Sequence, residues 1–63
     1  MNRKIRIAMV QYDGNGNPVD AAYGEYKFED VEIFRRSGFV DVSEELARQV
    51  DSQLVTKLNM ISN

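Results

Sequence analysis

At 63 residues the chain has room for one domain with a small core. It contains no cysteine and no histidine, which excludes disulfides, thiolate zinc sites and the side chain that most often exchanges protons near neutral pH. The formal net charge of −2 is too near balance to point by itself to nucleic acid or membrane.

Folds of this size usually lean on a disulfide, a metal or a second subunit, and the composition argues against the first two. Self-association, with a homodimer as the simplest case, is therefore expected. No apolar run approaches the ~20 residues of a membrane span, and the N-terminus lacks an apolar signal-peptide core. A cytoplasmic protein with no membrane association is the default expectation, in the host cytoplasm if the gene belongs to a phage.

Residues 3–12, RKIRIAMVQY, open with alternation. Ile5, Ile7 and Met9 share one face and Lys4 and Arg6 the other, and the second face turns apolar at Ala8, Val10 and Tyr12. That pattern predicts a strand whose later half is covered on both sides. The turn formers Asp13-Gly14-Asn15-Gly16-Asn17-Pro18 follow, and they predict a hairpin loop. Their opening resembles a calcium-binding D-x-N-x-N loop, but Pro18 stands where that loop needs glycine and Gly24 where it needs a bidentate glutamate. The turn explains the same residues, so no metal or other cofactor is expected.

Residues 19–28, VDAAYGEYKF, are the return strand, with Val19, Ala21 and Tyr23 on one face, Tyr26 and Phe28 on another, and a bulge or bend expected at Gly24. Residues 29–39 are ambiguous. Val31, Ile33 and Arg35 alternate with Glu32 and Phe34 as in a third strand, whereas Phe28, Val31 and Phe34 are spaced by three and Ser37-Gly38 can end a short helix. Extended structure over Val31–Arg35 is favoured.

Residues 41–61, DVSEELARQVDSQLVTKLNMI, form the most regular stretch. Leu46, Val50, Leu54 and Leu58 recur every fourth residue beside Ala47 and Ile61, which at about 100° per residue makes one apolar stripe. Asp41 with Glu44 has capping-box spacing, and Ser43 is the alternative N-cap. Ser62 and Asn63 are expected to fray. The expected fold is α+β: one ββ(β)α domain over 1–63, in which a small antiparallel hairpin or three-stranded meander is packed by a C-terminal amphipathic helix. One sheet face and at least one sheet edge would remain open.

Charge is segregated along the chain. Residues 1–12 carry a net +3 and residues 13–34 a net −5. A non-enzymatic role is expected, because the serines have no histidine to activate them and a chain this short can scarcely enclose a pocket of about 300–1,000 Å³. The acidic, aromatic segment suggests contact with a basic groove on a protein partner, through Tyr23, Glu25, Glu29, Asp30, Glu32 and Phe34. Carboxylates on a rigid element speed encounter with a basic partner, and aromatics supply buried anchors. Small acidic inhibitors of nucleic-acid enzymes, of the kind phages and mobile elements encode, use this logic. Two alternatives stand beside it: nucleic-acid binding through Arg3, Lys4, Arg6, Arg35 and Arg36, and a structural subunit of a larger assembly.

Overall fold

The computed structural model describes the backbone of residues 3–61 and the side chains of residues 3–56. Ser62 and Asn63, expected to fray, lie outside that range, as do the side chains of Leu58 and Ile61. The elements in chain order are β1 (Lys4–Tyr12), β2 (Pro18–Lys27), α1 (Phe28–Arg36), β3 (Phe39–Asp41) and α2 (Glu44–Ile61). The class is α+β, with a three-stranded antiparallel sheet in the order β2-β1-β3 and the C-terminal helix packed on it.

β1 is the central strand. It pairs antiparallel with β2 from Lys4↔Lys27 to Gln11↔Asp20, and with β3 from Met9↔Asp41 to Gln11↔Phe39. The amide of Val42 extends the second ladder by donating to the Ala8 carbonyl at 3.0 Å. The hairpin loop closes as its residues dictate. Asp13 Oδ1 accepts the backbone amides of Asn15 and Asn17, both at 2.9 Å, and Gly16 takes φ +82°.

Of the bulge or bend expected at Gly24, the bulge is absent. Gly24 sits in unbroken register opposite Ile7, and the irregularity falls between Gln11 and Tyr12, beside the loop. Glycine serves the strand differently at this position, by adopting φ +114°, which L side chains rarely enter. Because the register holds through it, side chains keep alternating, so Tyr23 and Tyr26 point to opposite faces.

The third strand is not Val31–Arg35. That segment belongs to α1, and β3 is the shorter Phe39–Asp41. The spacing by three prevails at Val31, which is buried, and at Phe34, which is half-buried against the sheet, while Phe28 stays exposed. Charge placement agrees, with Glu29 and Asp30 in the first turn and Arg35 and Arg36 in the last. The helix stops at Ser37, whose hydroxyl donates to the Ile33 carbonyl at 2.9 Å, and at Gly38, with φ +93°. Gln11 Nε2 then donates to the Ser37 carbonyl at 2.6 Å, tying the helix end to β1. Topology supplies the deeper reason. β2 and β3 flank β1 and both run opposite to it, so they are parallel to each other, and their link must cross a face of the sheet.

α1 therefore covers the face that was expected to stay open. Met9, Ala22, Val31 and Phe39 are buried there, joined by Ile7, Tyr26 and Phe34. On the opposite face α2 buries Ala47 and Val50 against Val10, with Ala8, Ala21, Tyr23, Val42 and Leu54 packed around them. Leu46, counted in the apolar stripe, is partly exposed, and Ala47 faces the sheet instead. The N-cap is Ser43, whose Oγ accepts the Leu46 amide at 3.1 Å. Asp41 cannot serve because it is still part of β3.

Met9 and Val10 are both fully buried, on opposite sides of the sheet. Met9→Ala is expected to cost about 2–5 kcal/mol, much of what so small a domain has, whereas Val40→Thr, at a half-exposed site, should stay within about 0.5 kcal/mol. Thermal unfolding followed by circular dichroism checks both. Gly24→Ala meets no steric obstacle, since a Cβ there has nothing within 4 Å, so its expected loss of about 1–3 kcal/mol is purely conformational. A Gly24→Ala melting curve unchanged from wild type would contradict that origin.

Candidate interaction surface

The six residues singled out in the sequence do not form one patch. Tyr23 lies half-buried under α2, where its hydroxyl donates to Asp51 Oδ2 at 3.3 Å and the Arg48 guanidinium sits 5.5 Å from its ring centre. Glu25 is exposed two ladder pairs inward from Lys27, opposite Arg6. Phe34 is a core residue. Its ring meets Tyr26 edge-on at 5.2 Å and Phe39 at 5.0 Å with a 48° tilt. Only Glu29, Asp30 and Glu32 remain together, on α1, with Glu29 and Asp30 exposed and Glu32 partly so.

The expected rigid strand is thus a rigid helix, and the change of period re-sorts the side chains. With Val31 turned to the sheet, Ile33 falls roughly 200° away from it on the helical wheel, at the outer surface, where it is 58% exposed. Phe28, on the first turn, is 56% exposed. Glu29, Glu32 and Arg36 occupy the arc between these two apolar side chains. Neither Phe28 nor Ile33 stands out in the linear sequence, because an alternating pattern assigns Ile33 to the buried face together with Val31. Marking the opposed charges at residues 29–30 and 35–36 as helix ends would have revealed both.

Electrostatics sharpen this face. Among the described residues, Glu29, Asp30 and Glu32 make no ion pair, whereas Glu44 and Asp41 are engaged. Arg6 donates from Nε to Glu44 Oε1 at 2.9 Å, with Nη2 at 2.7 Å from the same oxygen, and Arg48 reaches Glu44 Oε2 at 3.1 Å. Arg35 turns away from its own helix to Asp41, with contacts of 2.7 and 3.4 Å. The hydrogen bond to Asp41 holds the Arg35 guanidinium above its usual pKa, and the carboxylate's charge adds to it. Of the basic residues considered for nucleic acid, Arg6 and Arg35 are therefore occupied within the fold, while Arg3, Lys4 and Arg36 make no ion pair among the described residues.

A concavity lies at the hairpin end of the sheet. An open groove of about 540 Å³ runs between the hairpin loop and α2, lined by Asp13, Asn17, Pro18, Val19, Val50, Gln53 and Leu54. The groove is open to solvent rather than enclosed. Among the described residues that line it, Asp13 is the ionisable one, and that carboxylate is already held by the loop amides.

Compared with protein-family models, with curated proteins and with solved structures, the chain matches none.

The loop amides also set a pH dependence. The backbone N–H groups of Asn17 and then Asn15 stabilise the Asp13 carboxylate and hold its pKa below the usual aspartate value. A group depressed on folding contributes stability that is fully present above its unfolded pKa and is lost as pH falls through the folded one. The Asn15 and Asn17 amide resonances are expected to move together in acid, with a midpoint below the ordinary aspartate range. An NMR titration checks this. A midpoint at or above that range would mean that the two amides do not hold the charge.

Proposed function

We propose that this chain is a non-enzymatic protein–protein interaction module that presents the outer face of α1 to a basic, partly apolar groove on its partner. The observation that carries the reading is the unpartnered state of that face. Phe28 and Ile33 are exposed on either side of carboxylates that make no ion pair among the described residues, on a helix whose other side is anchored in the core. Exposed aromatic and aliphatic side chains provide anchors that gain most when a partner excludes water from them. Unpaired carboxylates around them favour a cationic partner, speed its approach and disfavour acidic competitors. A helix pinned by Val31 and Phe34 loses little conformational freedom on binding, which lowers the cost of association.

Glu32 and Ile33 are the cleanest probes. Glu29 and Asp30 also stabilise the first turn of α1 through the helix dipole, so their replacement lowers stability as well as contact. Affinity capture from a lysate of the encoding organism is expected to recover a basic partner with the wild-type chain, and to lose it with the double variant Glu32→Lys/Ile33→Ser. The melting temperature of that variant should stay within about 4 °C of wild type. Equal recovery by both chains would remove α1 as the contact element.

A further inference from the structure

The end of the sheet where β1 begins and β2 finishes carries an unusual arrangement of charge. Lys4 and Lys27 stand directly opposite each other in the ladder, and both are exposed. Like charges in that position repel, and natural sheets tend to avoid them. Nearby acids do not relieve them: among the described residues neither lysine makes an ion pair, Glu44 is committed to Arg6 and Arg48, and Glu25, two residues before Lys27 on the same face and opposite Arg6, pairs with neither lysine. Immediately after Lys27 the chain enters α1 with exposed Phe28 and then Glu29 and Asp30, also without an ion pair.

The two signs lie on opposite sides of the sheet. Lys4 and Lys27 belong by alternation to the face of Ala8 and Val10, which α2 covers, whereas α1 lies across the face of Ile7 and Met9. We propose that this sheet end is a self-complementary surface whose partner is a second copy of the chain, each copy's Lys4–Lys27 pair meeting the other's Glu29 and Asp30, with the two Phe28 rings between them. A two-fold axis in the plane of the sheet and perpendicular to the strands turns one end to face the other. The same rotation exchanges the two sides of the sheet, so positive meets negative twice. That is what a closed, isologous dimer requires of its surface. Association relieves the lysine repulsion and removes the exposed Phe28 from water. The inference rests on the reading that α1 is a contact element and names a partner for its N-terminal end, leaving Glu32 and Ile33 to other contacts.

Sedimentation equilibrium tests it. The wild-type mass should rise with concentration from 7.2 kDa toward twice that value, and added salt should weaken the association. The variants Lys4→Glu/Lys27→Glu and Glu29→Lys/Asp30→Lys should each dimerise at least roughly tenfold more weakly alone. Mixed in equal amounts they should form a heterodimer, since each then meets the opposite charge, and that recovery also shows that both are folded. Should the Glu29→Lys/Asp30→Lys chain fail to fold, Phe28→Ser serves instead, since it keeps all four charges and should still weaken the dimer. A wild-type mass fixed at that of one chain, a mixture of folded variants that stays monomeric, or a Phe28→Ser dimer as strong as wild type overturns the proposal. A monomeric chain that still captures a partner through Glu32 and Ile33 overturns this inference alone. A dimer that captures nothing overturns the proposed function and leaves this inference standing.

Discussion

Everything in this structure follows from a strand that must be hidden on both sides. Met9 and Val10 are consecutive, point to opposite faces, and are both fully excluded from water. A strand with one apolar face needs one covering layer, but one with two needs a layer on each side and a neighbour on each edge. In a chain of 63 residues that demand uses almost every element available. β2 and β3 supply the edges, α1 covers Met9 and α2 covers Val10.

This constraint explains why α1 combines two roles. Nine residues are too few for a helix to stand alone in water, so α1 exists because Val31 and Phe34 lie on the sheet. It is also the crossover that carries the chain from one edge of β1 to the other. A helix held by one side only is free to place any side chain on its outer side. What it places there is acidic and apolar together, a combination that adds nothing to the core. The proposed contact surface is thus carried on one of the better-anchored parts of the molecule rather than on a loop.

The ion pairs divide the charged residues into those used inside the fold and those left over. Arg6–Glu44 links β1 to the start of α2, and Arg35–Asp41 links α1 to β3. Exposed pairs of this kind contribute little stability. Their larger effect is on the surface that remains. With Arg6 and Arg35 occupied, the basic stretch at the N-terminus is reduced to Arg3 and Lys4, and Lys4 faces another lysine. The acidic stretch keeps Glu29, Asp30 and Glu32 without ion pairs among the described residues. A chain nearly balanced in net charge therefore shows a locally polarised surface.

The sequence by itself determined β1, the hairpin loop, β2 and α2, because each is encoded by neighbours: alternation, a run of Gly, Asn, Asp and Pro, and a repeat at every fourth residue. It also indicated that β1 is covered twice, although it named only one cover. Three matters were decided by tertiary structure. Residues 28–36 carry both a period of two and a period of three, and only the need to cross from β2 to β3 over Met9 selects the helix. Asp41 and Ser43 both fit the start of α2, and pairing of Asp41 with β1 leaves the cap to Ser43. The candidate contact residues were separated in the same way. Tyr23 and Phe34 look alike in a linear acidic and aromatic segment, but unbroken alternation through Gly24 and the turn of α1 send them into opposite halves of the core and bring Phe28 and Ile33 to the surface. Local pattern specifies which elements a chain can form; which side of each meets water depends on what it packs against, and that is a property of the whole fold.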